Sequence, residues 1–169
     1  MAATAGFNDA VVFSLDIPES VNSLLQAGVI ASRTDKVQAE SIFMQAFELD
    51  PHCLQSYFAL YKFYFYQARL HEAEDYVLAG LEEAARQGSF PADYRRLYRD
   101  KSKWDLYANE ISLFYLYTLK ALAFIKLRQN QSYQARTILE MMQELDPEDR
   151  SGVSVILDLE KALRGLNDE

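Results

Sequence analysis

The segment VQAESIFMQAFELDP, residues 37–51, decides the fold. Ala39, Phe43, Ala46 and Phe47 fall at helical spacing on one face, and the closing Asp-Pro ends the helix, because proline disfavours helical backbone in the residue before it. The ending returns in QARTILEMMQELDP, which closes at Pro147, and LHEAEDYVLAGLEEA lies between the two. From Ala39 to Ala73 is a step of 34 along the chain, and from Ala73 to Ala135 a step of 62, or 34 plus 28. Pro51 and Pro147 are 96 apart, two periods plus the same 28. With six glycines, four prolines and no β-hairpin dipeptides, long helical patterns dominate.

Composition bounds the rest. A chain of 169 residues, half of them apolar, suits one domain with an ample core. A net charge of −8 argues against nucleic acid as the main partner, since phosphates are repelled on average. The N-terminal stretch MAATAGFNDAVVFSLDIP has no basic region and carries Asp9 and Asp16, so it does not read as a secretory signal. The most apolar run, ISLFYLYTLKALAFI, is interrupted by Lys120 and is too short to span a bilayer. A lone Cys53 allows no internal disulfide and fits a reducing cytoplasm.

A period of 34 built from helix pairs resembles the tetratricopeptide repeat. The repeats fall at residues 20–53, 54–87 and 116–149. The family's small residue early in the second helix matches Ala39, Ala73 and Ala135, and its bulky residue four later matches Phe43, Val77 and Leu139. Its proline matches Pro51 and Pro147, while Ala85 departs from it in the middle repeat. The resemblance implies an all-α, right-handed α-solenoid of about three helix pairs. Residues 88–115 form an insertion, the later part of which extends the next helix upstream from Asp105 to about Asn130. In GVSVILDLEKALRGL, Val153, Ile156, Leu157 and Leu163 share a face, so a helix over about 152–165 caps the stack.

In this family the first helix of each pair lines a concave face. The stretch YFALYKFYFYQ, residues 57–67, has seven aromatics among eleven residues, more than one packing stripe needs. Tyr57, Leu60, Tyr61 and Tyr64 take the family's packing positions, which leaves Phe58, Lys62, Phe65 and Arg69 as a second stripe facing the groove, matched in the third repeat by Tyr117, Lys120, Phe124 and Arg128. Two readings stand together: the stripe binds a partner, with Phe58, Phe65 and Phe124 partly exposed, or it packs inside beneath the insertion or the terminal helix. Charge favours the first. Inner helices carry Lys62, Arg69, Lys120, Lys126 and Arg128 and no acid, while outer segments carry eleven acids and only Arg86 and Arg136. Lys126 sits at a packing position, from which its head snorkels to water. The insertion, with Arg95, Arg96, Arg99, Lys101, Lys103 and the single Trp104, is either a second candidate surface or a solvated loop that Trp104 anchors by packing.

No catalytic constellation is legible. His52 and Cys53 are adjacent and point apart on regular backbone, no segment supplies further metal ligands, and there is no phosphate-binding glycine loop. No metal or cofactor is expected. The family's carboxylate clamp, Lys and Asn at set groove positions, is replaced by Leu24, Gly28, Ala59, Tyr117 and Ala121. A non-catalytic protein-binding module is the reading this supports. Its alternatives are a self-associating structural module and an enzyme using His52 or His71. ALYKFYFYQARLHEAE, ADYRRL and LKALAFIKLRQ further resemble small tetratricopeptide proteins that accompany nitrogen-fixation genes, which implies nitrogenase or its assembly machinery as partner.

Overall fold

A computed structural model describes residues 16–167. The N-terminal stretch read above for a signal lies, up to residue 15, outside the described residues. All regular structure in the described residues is helical. The helices are α1 (Glu19–Ala31), α2 (Lys36–Leu49), α3 (Leu54–Tyr66), α4 (Leu70–Gly88), α5 (Tyr94–Arg99), α6 (Glu110–Arg128), α7 (Ser132–Leu145) and α8 (Val153–Asn167), with a 3₁₀ turn at Lys101–Lys103. None of them is long and apolar enough to cross a membrane.

Local chemistry sets these boundaries. Asp50 and Asp146, each before its proline, leave helical backbone and end α2 and α7 after 14 residues each. Ala85 stands where the middle repeat lacks proline, and α4 runs on for 19 residues until Ser89 adopts a left-handed φ of 57°. The helix after the insertion begins at Glu110 rather than at Asp105. Asn109 caps it by accepting the Ser112 N–H at 2.9 Å, while the Asp105 carboxylate accepts the Tyr107 N–H at 3.0 Å and holds a turn there.

The first-to-second-helix turns repeat. Ala68, after α3, and Asn130, after α6, have φ of 57° and 61°. The Arg69 N–H returns to the Tyr64 carbonyl at 3.0 Å, and the Gln131 N–H to the Lys126 carbonyl at 2.9 Å. Both are left-handed terminations that reverse the chain, so each second helix packs back on its first.

In pairs, α1 packs on α2, α3 on α4 and α6 on α7. Between them α2 meets α3, α4 meets α6 and α7 meets α8, so the insertion does not part the second and third pairs. It folds aside, with α5 against α7. Leu97 and Leu106 are buried, the Tyr115 hydroxyl donates to the Ala92 carbonyl at 2.6 Å, and Phe90 meets the Tyr115 ring edge-on at 5.1 Å. Ala39, Ala73 and Ala135 are fully buried, and Phe43, Val77 and Leu139 sit one turn on in the same core.

A second regularity runs across the layers. On α2, Glu40 accepts from the Tyr64 hydroxyl at 3.2 Å and from Arg69 at 2.7 Å. On α4, Glu74 stands at the place of Glu40 one period on, and it pairs with Lys126, which takes in α6 the place of Tyr64 in α3. On α7, Arg136 stands at the same place in the third repeat and faces Glu160 of α8 at 3.6 Å, with Arg164 on the other oxygen at 3.5 Å. The residue after each buried alanine therefore staples its helix to the next layer, with charge reversed at the last. Lys126 does not snorkel to water: its stem is packed and its head is held by Glu74, with Gln129 on the other oxygen at 3.0 Å.

Gly28 of α1 is packed under the Phe43 ring, where a Cβ would enter the ring. Gly28→Ala is expected to lower stability by about 1–3 kcal/mol through overpacking. Adding Phe43→Leu should recover part of that loss, as read by urea unfolding of both variants.

Candidate functional site

The second aromatic stripe is not partly exposed. Phe58, Phe65 and Phe124 are 5%, 3% and 1% exposed, and Tyr117 and Lys120 are buried with them. The inner faces of α3 and α6 meet each other instead. The Phe65 and Phe124 centroids are 5.1 Å apart, the Arg128 guanidinium lies 5.5 Å from the Phe65 centroid, and the Tyr61 hydroxyl lies 3.4 Å from the Thr118 hydroxyl. Lys120 Nζ donates to the Ser151 carbonyl at 2.6 Å and sits 4.3 Å from the Tyr117 ring centroid. The many aromatics of α3 are thus accommodated by contacts on several sides of the helix at once.

Lys120 lies beneath the turn joining α7 to α8. Burial pushes its pKa down to about 8, against the pull of Asp149 and Asp146. Asp146 organises that turn. It accepts from Tyr107, from the Arg150 and Ser151 N–H groups at 2.9 Å, and from the Ser151 hydroxyl at 2.6 Å. Burial alone would raise its pKa, but these hydrogen bonds outweigh it and hold the carboxyl low.

The remaining cations of the stripe are also engaged. Arg69 does not continue α3, which ends at Tyr66; it follows the reversing turn and pairs with Glu40 and Glu72. Lys62 is half-buried, its Nζ 5.6 Å from the Phe58 centroid and 6.0 Å from that of Tyr66, and burial lowers its pKa. Arg128 is exposed. The cations expected to polarise one face are drawn instead into the contacts between layers, Arg69 and Lys126 most directly.

Among the described residues, two hollows open at the surface. A cavity of about 470 Å³ opens between α1, α2 and α3, lined by Leu25, Val29, Phe58 and Phe63 with Lys36 and Lys62 at its edge. Gly28, noted above for the clamp it lacks, lets α1 approach α2 behind this cavity. A polar hollow of about 510 Å³ lies between the turns at residues 68–72 and 129–131, beside Arg69, His71 and Glu72. No hydrogen bond joins His71 to a carboxylate among the described residues. His52 lies elsewhere, with 67% of its side chain exposed, Nδ1 3.0 Å from Glu83 and 3.3 Å from Arg86. Hydrogen bonds from Arg86, then Gln87 and His52, pull the Glu83 pKa down to about 2. Among the described residues no group of three or more His, Cys, Asp or Glu could hold a metal ion.

The insertion presents its cations. Arg95, Arg96 and Arg99 of α5 are exposed, as are Lys101 and Lys103. Arg95 lies 3.9 Å from Asp93 and 4.8 Å from the Tyr94 ring; Lys101 pairs with Glu144 at 3.4 Å and Lys103 with Asp100 at 3.9 Å. No ion pair or ring contact engages Arg96 or Arg99 among the described residues. Trp104 is half-buried against the core, with no hydrogen-bond partner for its indole N–H among the described residues.

Two measurements check this assignment. Phe65→Ala should cost about 3–5 kcal/mol of folding stability, the loss for a core aromatic. Lys120 has a folded pKa below the 10.5 of a solvated lysine, so between about pH 8 and 10 the unfolded chain binds more protons and stability rises with pH. The gain should be about 1–2 kcal/mol between pH 8 and 9.5 and absent in Lys120→Met. Above about pH 10 the buried Tyr61 and Tyr115, whose pKa values burial raises, reverse the trend.

No protein-family model matches the chain, and neither does any curated protein.

Proposed function

We propose that this protein is a non-catalytic protein-binding module: a right-handed α-solenoid of three tetratricopeptide-like helix pairs, with α8 as a further first helix, serving as an accessory or assembly factor for a larger complex. The repeated turns, the buried alanines at the period of 34 and the repeated staple between layers support the architecture. The observation that carries the function is the basic turn at residues 95–103. On a chain of net charge −8, Arg95, Arg96, Arg99, Lys101 and Lys103 project together, and Arg96 and Arg99 have no internal carboxylate among the described residues. Arginines of this kind suit an acidic protein surface. Their guanidiniums form paired hydrogen bonds to carboxylates, and the local field speeds encounter despite the overall charge.

Leu97 and Trp104 hold the turn against the core, so the arginines sit on an anchored element and little ordering cost accompanies binding. The resemblance to small repeat proteins that accompany nitrogen-fixation genes makes nitrogenase and its assembly proteins the first partners to try.

The test is capture from cells by wild-type protein and by Arg96→Glu/Arg99→Glu, followed by binding kinetics with the captured partner and with purified nitrogenase components. The double variant should melt like wild type, since exposed charges contribute little to folding. Its association should slow by roughly tenfold at low salt, with the difference shrinking as salt screens the patch. Equal capture and equal rates for both proteins would overturn the reading.

A further inference from the structure

We infer that α8 is a docking face for a second copy of this chain, the two α8 helices packing antiparallel. The inner face of α8, with Val153, Ile156, Leu157 and Glu160, is buried against α7 and α6. A second apolar seam runs along the same helix: Val155, Leu159, Ala162 and Leu166, at successive steps of four, three and four. That is the spacing of a helix that packs against another helix. Val155 is 53% exposed and Leu166 69%, while the third face carries Ser154, Asp158 and Lys161.

The staple between layers explains why the seam exists. Glu160 takes in α8 the place that Lys126 takes in α6, one period earlier. By the same offset Val155 and Leu159 correspond to Ala121 and Ile125, which are 1% and 0% exposed in the helix that α7 packs against. The first half of the seam, Val155 and Leu159, therefore matches the face on which α6 receives α7, while Ala162 falls at the place of the exposed Arg128. Leu159 is partly packed against the core, and Val155, Ala162 and Leu166 stand exposed among the described residues.

The pattern of α8 fits itself. An antiparallel pair centred between residues 160 and 161 sets Val155 against Leu166 of the second copy and Leu159 against its Ala162, a larger residue facing a smaller one in each layer. Charge agrees. In this register Asp158 lies about 3 Å along the axis from the level of Lys161 in the second copy, against about 7.5 Å from that of its Asp158, at 1.5 Å per residue. Leu163, at 40% exposure, adds apolar surface on the same helix.

The inference concerns a different element from the basic turn, α8 rather than α5, and stands or falls apart from it. Its test is the mass in solution, by light scattering and sedimentation, of wild type, Val155→Glu and Leu166→Glu from about 1 to about 200 µM. Wild type should pass from monomer to dimer with concentration. Each variant should keep wild-type helicity and weaken self-association by at least about tenfold, because a charge is placed in the seam. A wild type that stays monomeric throughout overturns the proposal, whether a different protein or a further segment covers the seam. So does a dimer that both variants retain, which would lie on another face.

Discussion

The structure depends on close approach of helices at three buried alanines, Ala39, Ala73 and Ala135. A methyl group there leaves room for the large side chains of the neighbouring helix, and the residue that follows reaches across to the next layer. Glu40 takes Tyr64 and Arg69, Glu74 takes Lys126, and Arg136 takes Glu160. Each staple crosses from a second helix to the following first helix, so the pairs are held to one another as well as within themselves. Reversal of charge at the last staple gives α8 an acid, Glu160, that is 1% exposed, with arginines from two helices around it. Among the described residues neither Glu160 oxygen nor the Arg136 Nε has a hydrogen-bond partner, so desolvation offsets most of the Coulomb gain of this buried charge.

Those staples also decide how the cations are used. A stripe of aromatics and cations invites reading as a binding face, and α3 and α6 both carry one. In the folded chain Phe65 and Phe124 meet, Lys120 is capped by the Ser151 carbonyl, and Arg69 and Lys126 hold carboxylates of the preceding layer. The aromatic-rich helices are the centre of the core. A group of the cations that remain outward stands in the insertion, where α5 is anchored by apolar residues while its arginines face water.

The two surfaces left for association differ in kind. The basic turn is polar, mounted on α7 and suited to fast, salt-dependent encounter. The seam of α8 is apolar and has the spacing of a helix pair, which suits a slower-dissociating contact. They are carried by different elements, the turn by α5 and the segment after it, the seam by α8.

The sequence by itself determined the local structure. Alanine spacing, the Asp-Pro stops and the absence of strand patterns gave the helix pairs and their period, because these signals act through backbone geometry within a few residues. Its errors at this level were small and came from capping: Asn109, not Asp105, opens α6. What only the tertiary structure decided was which face of each helix meets what. Phe58, Phe65 and Phe124 follow the same spacing whether they line a groove or a core, since periodicity specifies that a stripe exists and not what lies opposite it. The partners of Arg69, Lys120 and Lys126 were equally illegible. Glu40, Glu74 and the Ser151 carbonyl belong to other helices or turns and come within reach only once the layers stack. The seam of α8 was half-legible. Val153, Ile156, Leu157 and Leu163 announced one face, of which Leu163 is 40% exposed, but that Val155, Ala162 and Leu166 stand exposed on a second follows only from how α8 packs on α7 and α6.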